Sequence, residues 1–309
     1  MDKCPFFDLC GGCKYDFTAP DYHAKKLETL QKIDNLSQPI WGTIGTRRRV
    51  DFTASPNHFG FYRSGTRDIV NITHCPNILP EINEIIPKLA ALPWGCAASV
   101  LVTKCENGIV VNVTSDVPYF NQDFREYVQK LPPQIIRFTW NENVIRNYNT
   151  PKITFDKKTV EFPDNAFLQP TVNTEQSIRD LVVDATKNAK HIADLFCGIG
   201  NFTFATNATG FDIAGIGINR DLFKKPLAVA QLNQYDAVIM DPPRSGAMAQ
   251  SVALSKSNVP LVIYVSCNPG TWLRDRNILL RGGYMLKTVI PVDQFVGSDH
   301  WEIFSVFER

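Results

Sequence analysis

The chain has 309 residues, 44% of them hydrophobic and 20% charged, with a formal net charge of +1. That mix belongs to an ordinary globular protein long enough for two units, each burying its own core, and it excludes a fibrous or disordered chain. The near-zero balance also excludes a bulk positive field, so any nucleic-acid affinity must come from local patches such as Arg47, Arg48 and Arg49.

No run of about 18 apolar residues is present to span a bilayer, and MDKCPFFDLC does not read as a signal peptide. The expectation is a cytoplasmic protein with no membrane partner. Eight cysteines in a reducing compartment point to metal binding or catalysis rather than disulfides.

In chain order, residues 1–20 are rich in Cys, Gly and Pro and read as a loop wrapped around something. Residues 22–36 have helical periodicity, 46–72 read as antiparallel strands, and 80–92 as a helix. SVLVTKCENGIVVNVT, residues 99–114, reads as a hairpin turning at Asn107-Gly108. The first half, 1–162, is therefore expected to be an α+β domain. From 163 to 309 short apolar runs (HIADLF, YDAVIM, PLVIYVS) alternate with helical stretches, the pattern of a parallel doubly wound α/β sheet whose ligands bind at the carboxyl ends of its strands.

Those ends carry the unusual residues. Asp194 leads through Leu-Phe-Cys into Gly198 and Gly200, glycines that let a cofactor approach the backbone; the plain alternative is a tight strand-to-helix connection. The next strand runs into Asp241-Pro-Pro-Arg244, a rigid turn with a fixed carboxylate. Arg244 stands where an enzyme methylating amino groups would carry an aromatic residue. A third strand ends at Ser266-Cys267-Asn268-Pro269. There a helix N-terminus is expected to lower the thiol pKa and make it a nucleophile, the alternative being a small buried hydrophobe. Near the C-terminus, DQFVGSDHWE places His300 and Glu302 beside a strand.

Together DLFCGIGNFT, DPPR, SCNP and DQF-x3-DH-x-E, preceded by Phe167-Leu168-Gln169, closely resemble the S-adenosylmethionine (SAM)-dependent RNA uracil-5-methyltransferase family, which includes bacterial 23S rRNA enzymes. The resemblance runs from Cys4 to the C-terminus. It implies a Rossmann-like methyltransferase domain, an RNA substrate (23S rRNA, with tRNA as the other class) and SAM as methyl donor. Carbon 5 of uracil is too weak a nucleophile to attack a sulfonium methyl unaided, so the resemblance makes Cys267 the thiolate that adds at carbon 6. It makes Glu302 the base that removes the carbon 5 proton, and Asp241 the acid that holds the base edge. Gln169, Asp194, Gly198, Gly200 and Asp221 correspond to cofactor contacts. The target uridine would have to leave its stack.

Cys4-x5-Cys10-x2-Cys13, with Cys75 in His-Cys-Pro, offers four thiolates suited to an iron–sulfur cluster or a zinc ion. The resemblance favours a [4Fe-4S] cluster, with zinc second. Arg47, Arg48, Arg49, Arg63 and Arg67, interleaved with Phe52, Phe59, Phe61 and Tyr62, read as an RNA-binding patch or as a solvated strand face with its aromatics in the core.

The chain departs from the family in two places. It starts at the cluster cysteines, without the small β-barrel of many relatives. Between Gly200 and Asp241 it is also short, with one strand expected in residues 207–219 where the family has two. Asp212 is expected to precede that strand and so to substitute poorly for the acid that binds the ribose of SAM. An RNA-binding iron–sulfur protein with a lost SAM pocket, or an RNA cytosine-5 methyltransferase, are the alternative functions.

Overall fold

The computed structural model describes residues 3–118 and 122–309. After the cysteine loop comes a short helix, α1 (Tyr22–Leu27), ending in one 3-10 turn at Glu28–Leu30; it is shorter than the periodicity of 22–36 predicts. Strands β1 (Arg49–Ser55), β2 (His58–Tyr62) and β3 (Ile69–Asn71) follow, then α2 (Pro80–Asn83) and α3 (Ile86–Ala90). The single helix expected over 80–92 is broken in two because Pro87, which has no amide N–H, stands in the first turn of α3. Then come β4 (Ala98–Cys105), β5 (Gly108–Thr114), α4 (Gln122–Gln129), β6 (Ile135–Trp140) and β7 (Asn143–Asn147).

These seven strands form one sheet in the order β3-β2-β1-β4-β5-β6-β7. The β4–β5 hairpin turns one residue earlier than expected, at Glu106-Asn107, with Gly108 already paired to Cys105. Gly108 is needed for closeness rather than for the turn: a Cβ there would lie 2.4 Å from the Ile136 side chain. Val100, Val102, Val111 and Phe138 pack one face of the sheet against Ile82, Ile86 and Leu89 of α2 and α3.

The other face is capped by the hairpin β8 (Lys152–Phe155) and β9 (Lys158–Glu161). Behind it Val110 and Cys105 meet Phe155, Phe162, Leu168 and Ile199. Because Ile199 belongs to the glycine turn of the second half, this small apolar cluster joins the two halves of the chain.

The second half contains α5 (Val172–Thr186), β10 (Ile192–Leu195), α6 (Asn201–Thr206), β11 (Thr209–Asp212), β12 (Ile218–Asn219), α7 (Val229–Leu232), β13 (Ala237–Met240), α8 (Met248–Ser255), β14 (Leu261–Ser266), α9 (Pro269–Arg281), β15 (Met285–Val292) and β16 (Glu302–Glu308). Its sheet runs β12-β11-β10-β13-β14-β16-β15, parallel as far as β14, with β16 antiparallel to both neighbours. The predicted strands HIADLF, YDAVIM and PLVIYVS are β10, β13 and β14, with every residue of β10 and β13 buried, as a sheet covered on both faces requires.

Residues 207–219 contain two strands where the sequence offers one. They are joined by five residues, Ile213 to Gly217, without a helix. The segment from Leu27 to Trp41, although N-terminal, packs on the second sheet: Leu30 and Ile33 share its core with Leu254 and Trp301.

Candidate active site

Sheet order alone gathers the site. β10, β13 and β14 are neighbours and parallel, so the residues after their last members, Phe196, Asp241 and Cys267, emerge on one edge. Strand β16 runs the opposite way and pairs Ile303 with Ser266, which puts Glu302 beside Cys267. Two residues 35 apart in sequence are thus adjacent by register.

Asp241 and Glu302 lie on either side of a chain of two amides. Gln169 Nε2 donates to Asp241 Oδ2 at 3.1 Å, and Gln294 Nε2 donates to Gln169 Oε1 at 3.0 Å and to Glu302 Oε2 at 3.2 Å. Glu302 is 2% exposed, and its Oε1 has no partner. Burial, and then the charge of Asp194, push Asp241 up to about 7; burial and Asp241 hold Glu302 well above the usual carboxylate range. Two such acids cannot both be ionised cheaply, so the site retains a proton near neutral pH.

Cys267 follows β14 and precedes α9, whose N-cap, Asn268, accepts from Gly270 N at 3.0 Å. The expected lowering of its pKa is not found. Burial first, then Glu302 and Asp241, push the thiol up to about 12, with Arg244 alone among nearby side chains opposing them. Desolvation and two carboxylates outweigh the partial charge of one helix end. Arg244 also reaches His300, its Nη2 lying 3.2 Å from Nε2, while its carbonyl accepts from Asn268 Nδ2 at 3.0 Å and so ties the DPPR turn to α9.

The glycine turn after β10 opens with Phe196 at φ 64°, an uncommon left-handed backbone for an aromatic residue and a conformation that clusters at functional sites. Gly198 (φ 52°) and Gly200 (φ 95°) continue it. Asp194 is fully buried; its Oδ2 accepts from Thr203 Oγ1 at 2.6 Å, its Oδ1 is unpaired, and burial raises it to about 7.

Asp212 ends β11 rather than preceding a strand, which corrects the sequence reading and puts an acid at the tip of the second strand. Its Oδ2 accepts from Gly198 N at 3.0 Å and its Oδ1 from Ala214 N at 2.9 Å. Each oxygen keeps a lone pair for a further donor such as a ribose hydroxyl. The 213–217 loop leans on the same turn, Ile216 N donating to Gly198 O at 2.9 Å. Asp221, beyond β12, accepts from Phe223 N and Lys224 N at 3.1 and 3.2 Å and so sits in its own turn. The unpaired Asp194 Oδ1 and Asn201 Nδ2, together with the acid at the tip of β11, fit a polar cofactor bound along this edge.

The four N-terminal cysteines gather at the rim of the first sheet. Burial first, and then repulsion from the other thiols of the group, raise Cys13 to about 12; Cys75 is raised to about 11, and Cys10 is also raised. Gly12 N donates to Cys10 Sγ at 3.3 Å and Asn77 Nδ2 to Cys13 Sγ at 3.5 Å, contacts typical of a thiolate environment. Among the described residues no three His, Cys, Asp or Glu side chains are arranged to hold a metal ion. By residue type, four thiols with N–H donors to sulfur are a donor set suited to an iron–sulfur cluster or a zinc ion.

The arginine patch is only partly a surface. Arg48 is 7% exposed, ion-paired with Glu175, and its Nε donates to Gln169 O at 3.1 Å, so it holds the Gln169 loop and is not free for phosphate. Phe52 and Phe59 are core residues, whereas Tyr62, Arg63 and Arg67 are exposed. Sequence reasoning quoted Gln294 only within DQF; the signal that could have singled it out is a polar residue between an apolar strand end and the His-x-Glu element.

A doubly wound sheet of this strand order, with a glycine turn after its first strand and a thiol facing two acids, defines an α/β methyltransferase-like fold. Residues 220–309 match the tRNA (Uracil-5-)-methyltransferase family. The chain is 32% identical to an uncharacterized RNA methyltransferase of Mesorhizobium japonicum, an alignment covering 99% of this chain and 84% of that one. It is 27% identical to the 23S rRNA (uracil(1939)-C(5))-methyltransferase RlmD of Erwinia tasmaniensis, over 99% of this chain and 82% of that one. The solved structure of Pyrococcus abyssi tRNA (uracil-54, C5)-methyltransferase in complex with S-adenosyl-L-homocysteine shares the fold, with a TM-score of 0.74 at 20% identity over 93% of this chain and 83% of that one. The chain belongs to the SAM-dependent RNA uracil-5-methyltransferase family.

Proposed function

We propose that the protein transfers a methyl group from SAM to carbon 5 of a uridine in RNA, with 23S rRNA as the substrate class, through a covalent Cys267 adduct. The observation that carries this reading is the meeting of Cys267, Asp241 and Glu302 where three strand ends converge. Gln169, Asp194, the glycine turn and Asp212 would hold SAM, which would supply an electrophilic methyl group. Asp221 is a further candidate contact for the cofactor.

Cys267 loses its proton to solvent and its sulfur bonds carbon 6 of the uracil, the ring π electrons moving onto carbon 5 and oxygen 4. Carbon 5 would then take the methyl group as the donor's C–S bond breaks, the donor sulfur leaving as a neutral thioether. Glu302 removes the remaining carbon 5 proton, the double bond re-forms and the sulfur leaves as thiolate. Asp241 holds the base edge. Because the free site stores a proton on its acid pair, Glu302 must be the member that is ionised when the carbon 5 proton departs.

Cys4, Cys10, Cys13 and Cys75 would hold a [4Fe-4S] cluster as a structural clip, with a zinc ion as the second reading. The RlmD relative supports the rRNA reading, and cytoplasmic location is part of the proposal.

The test is incubation with SAM and an rRNA transcript, followed by nucleoside analysis and denaturing electrophoresis. The wild type should yield 5-methyluridine, Cys267→Ala neither product nor adduct, and Glu302→Gln a persistent adduct. 5-Methylcytidine, or product from Cys267→Ala, would overturn the reading.

A further inference from the structure

Gln294 stands apart from every role assigned so far, yet it is 1% exposed and links Glu302 to Gln169, which in turn holds Asp241. An amide nitrogen carries two hydrogens, and both are spent, one on Gln169 Oε1 and one on Glu302 Oε2. With both acids ionised, turning the amide over would set its oxygen against two acceptor oxygens, so that state determines its orientation. Gln169 is then determined as well, its oxygen toward Gln294 and its nitrogen toward Asp241. The result is a directional chain in which each carboxylate has one oxygen held by an amide. Glu302 Oε1 and Gln294 Oε1 are left buried without partners.

The backbone keeps Gln294 in place. Asp293 N donates to Ile40 O at 2.8 Å, and the Asp293 carboxylate accepts from Tyr22 Oη at 2.8 Å and pairs with the fully buried Lys26.

We infer that Gln294 is a positioning residue for the proton-removal step: it fixes which oxygen of Glu302 is free to take the carbon 5 proton and favours the ionised form of that acid. This rests on the methyltransferase reading. A buried carboxylate that loses its one N–H donor is left with desolvation alone. The charged and titratable groups facing Glu302 are Asp241 beyond β13 and the Cys267 thiol beyond β14, and neither donates to it in place of Gln294.

The experiment uses an rRNA transcript containing uridine and a second containing 5-fluorouridine, whose carbon 5 substituent no base can remove, so that the adduct persists without Glu302. Gln294→Leu should form the 5-fluorouridine adduct like the wild type and melt cooperatively. It should turn over uridine RNA on the order of ten- to a hundredfold more slowly, with the loss in kcat rather than KM and the acid limb of the pH profile moved upward. Equal loss of adduct and turnover would show a merely structural role, and unchanged turnover would refute the inference.

A third readout does not need RNA. Isotope-edited infrared titration of the carboxylates in the free full-length protein should show Glu302 titrating higher in Gln294→Leu than in the wild type, and no shift would overturn the inference. Failure of the wild type to form the 5-fluorouridine adduct would overturn the methyltransferase reading, and the infrared titration would still decide on Gln294.

Discussion

The site is built from residues whose protonation runs against their tasks. A thiol raised to about 12 is mostly protonated at neutral pH, and acids raised by burial hold a proton that a base must first lose. Burial and the neighbouring carboxylates oppose a negative charge on the Cys267 sulfur. Removing one of those charges should lower the thiol pKa and increase its thiolate fraction at a given pH. Asp241→Asn should therefore be alkylated by iodoacetamide at Cys267, followed by peptide mapping at pH 9, roughly threefold faster or more than the wild type. An unchanged rate would show that Asp241 does not contribute to raising the thiol.

At the scale of elements, the five-residue β11–β12 connection does the work that a helix usually performs between parallel strands. It does so by close approach: a Cβ on Gly215 would lie 1.9 Å from Gly198 O, and one on Gly217, at φ 85°, would lie 2.5 Å from Gly210 O. Glycine is the residue that permits both contacts. Gly215→Ala should force the loop off the glycine turn, cost about 1–3 kcal/mol and lower the melting temperature by several degrees. Calorimetry with hydrogen exchange over residues 195–220 would check it, and wild-type melting would mean that the loop is not seated there in solution.

At the scale of the molecule, the cysteine loop and the active site share one strap, residues 293–300. Lys14 N and Tyr15 N both donate to Gly297 O, Asn77 Nδ2 donates to Val296 O, and Lys14 pairs with Asp299 at 2.8 Å. The same strap carries Gln294 and His300 toward Glu302. If the four thiols hold a cluster, anaerobically purified protein contains about four irons per chain. Removing them with a chelator in air should raise amide exchange across 293–300 while leaving β10, β13 and β14 protected. Iron-free protein with a protected strap would separate the cysteines from the active site.

Much of this was legible in the sequence. The three strands of the second half, the glycine turn, the DPPR and SCNP corners and the four spaced cysteines are local signals of apolar runs, special turns and ligand types, and these need no neighbours to be read. What the sequence could not supply were quantities set by surroundings. The Cys267 pKa depends on two carboxylates brought to it by strand register. Arg48 reads as a phosphate ligand until Glu175 is seen beside it, and Asp212 changes meaning once β11 is known to end there. Gln294 acquires a role only when Gln169 and Glu302 lie on either side of it. The chain alone determined the class of fold and the family resemblance, because those follow from residue type and spacing. Tertiary structure decided their charge states and partners, because desolvation and Coulomb energy depend on distances between atoms far apart in sequence.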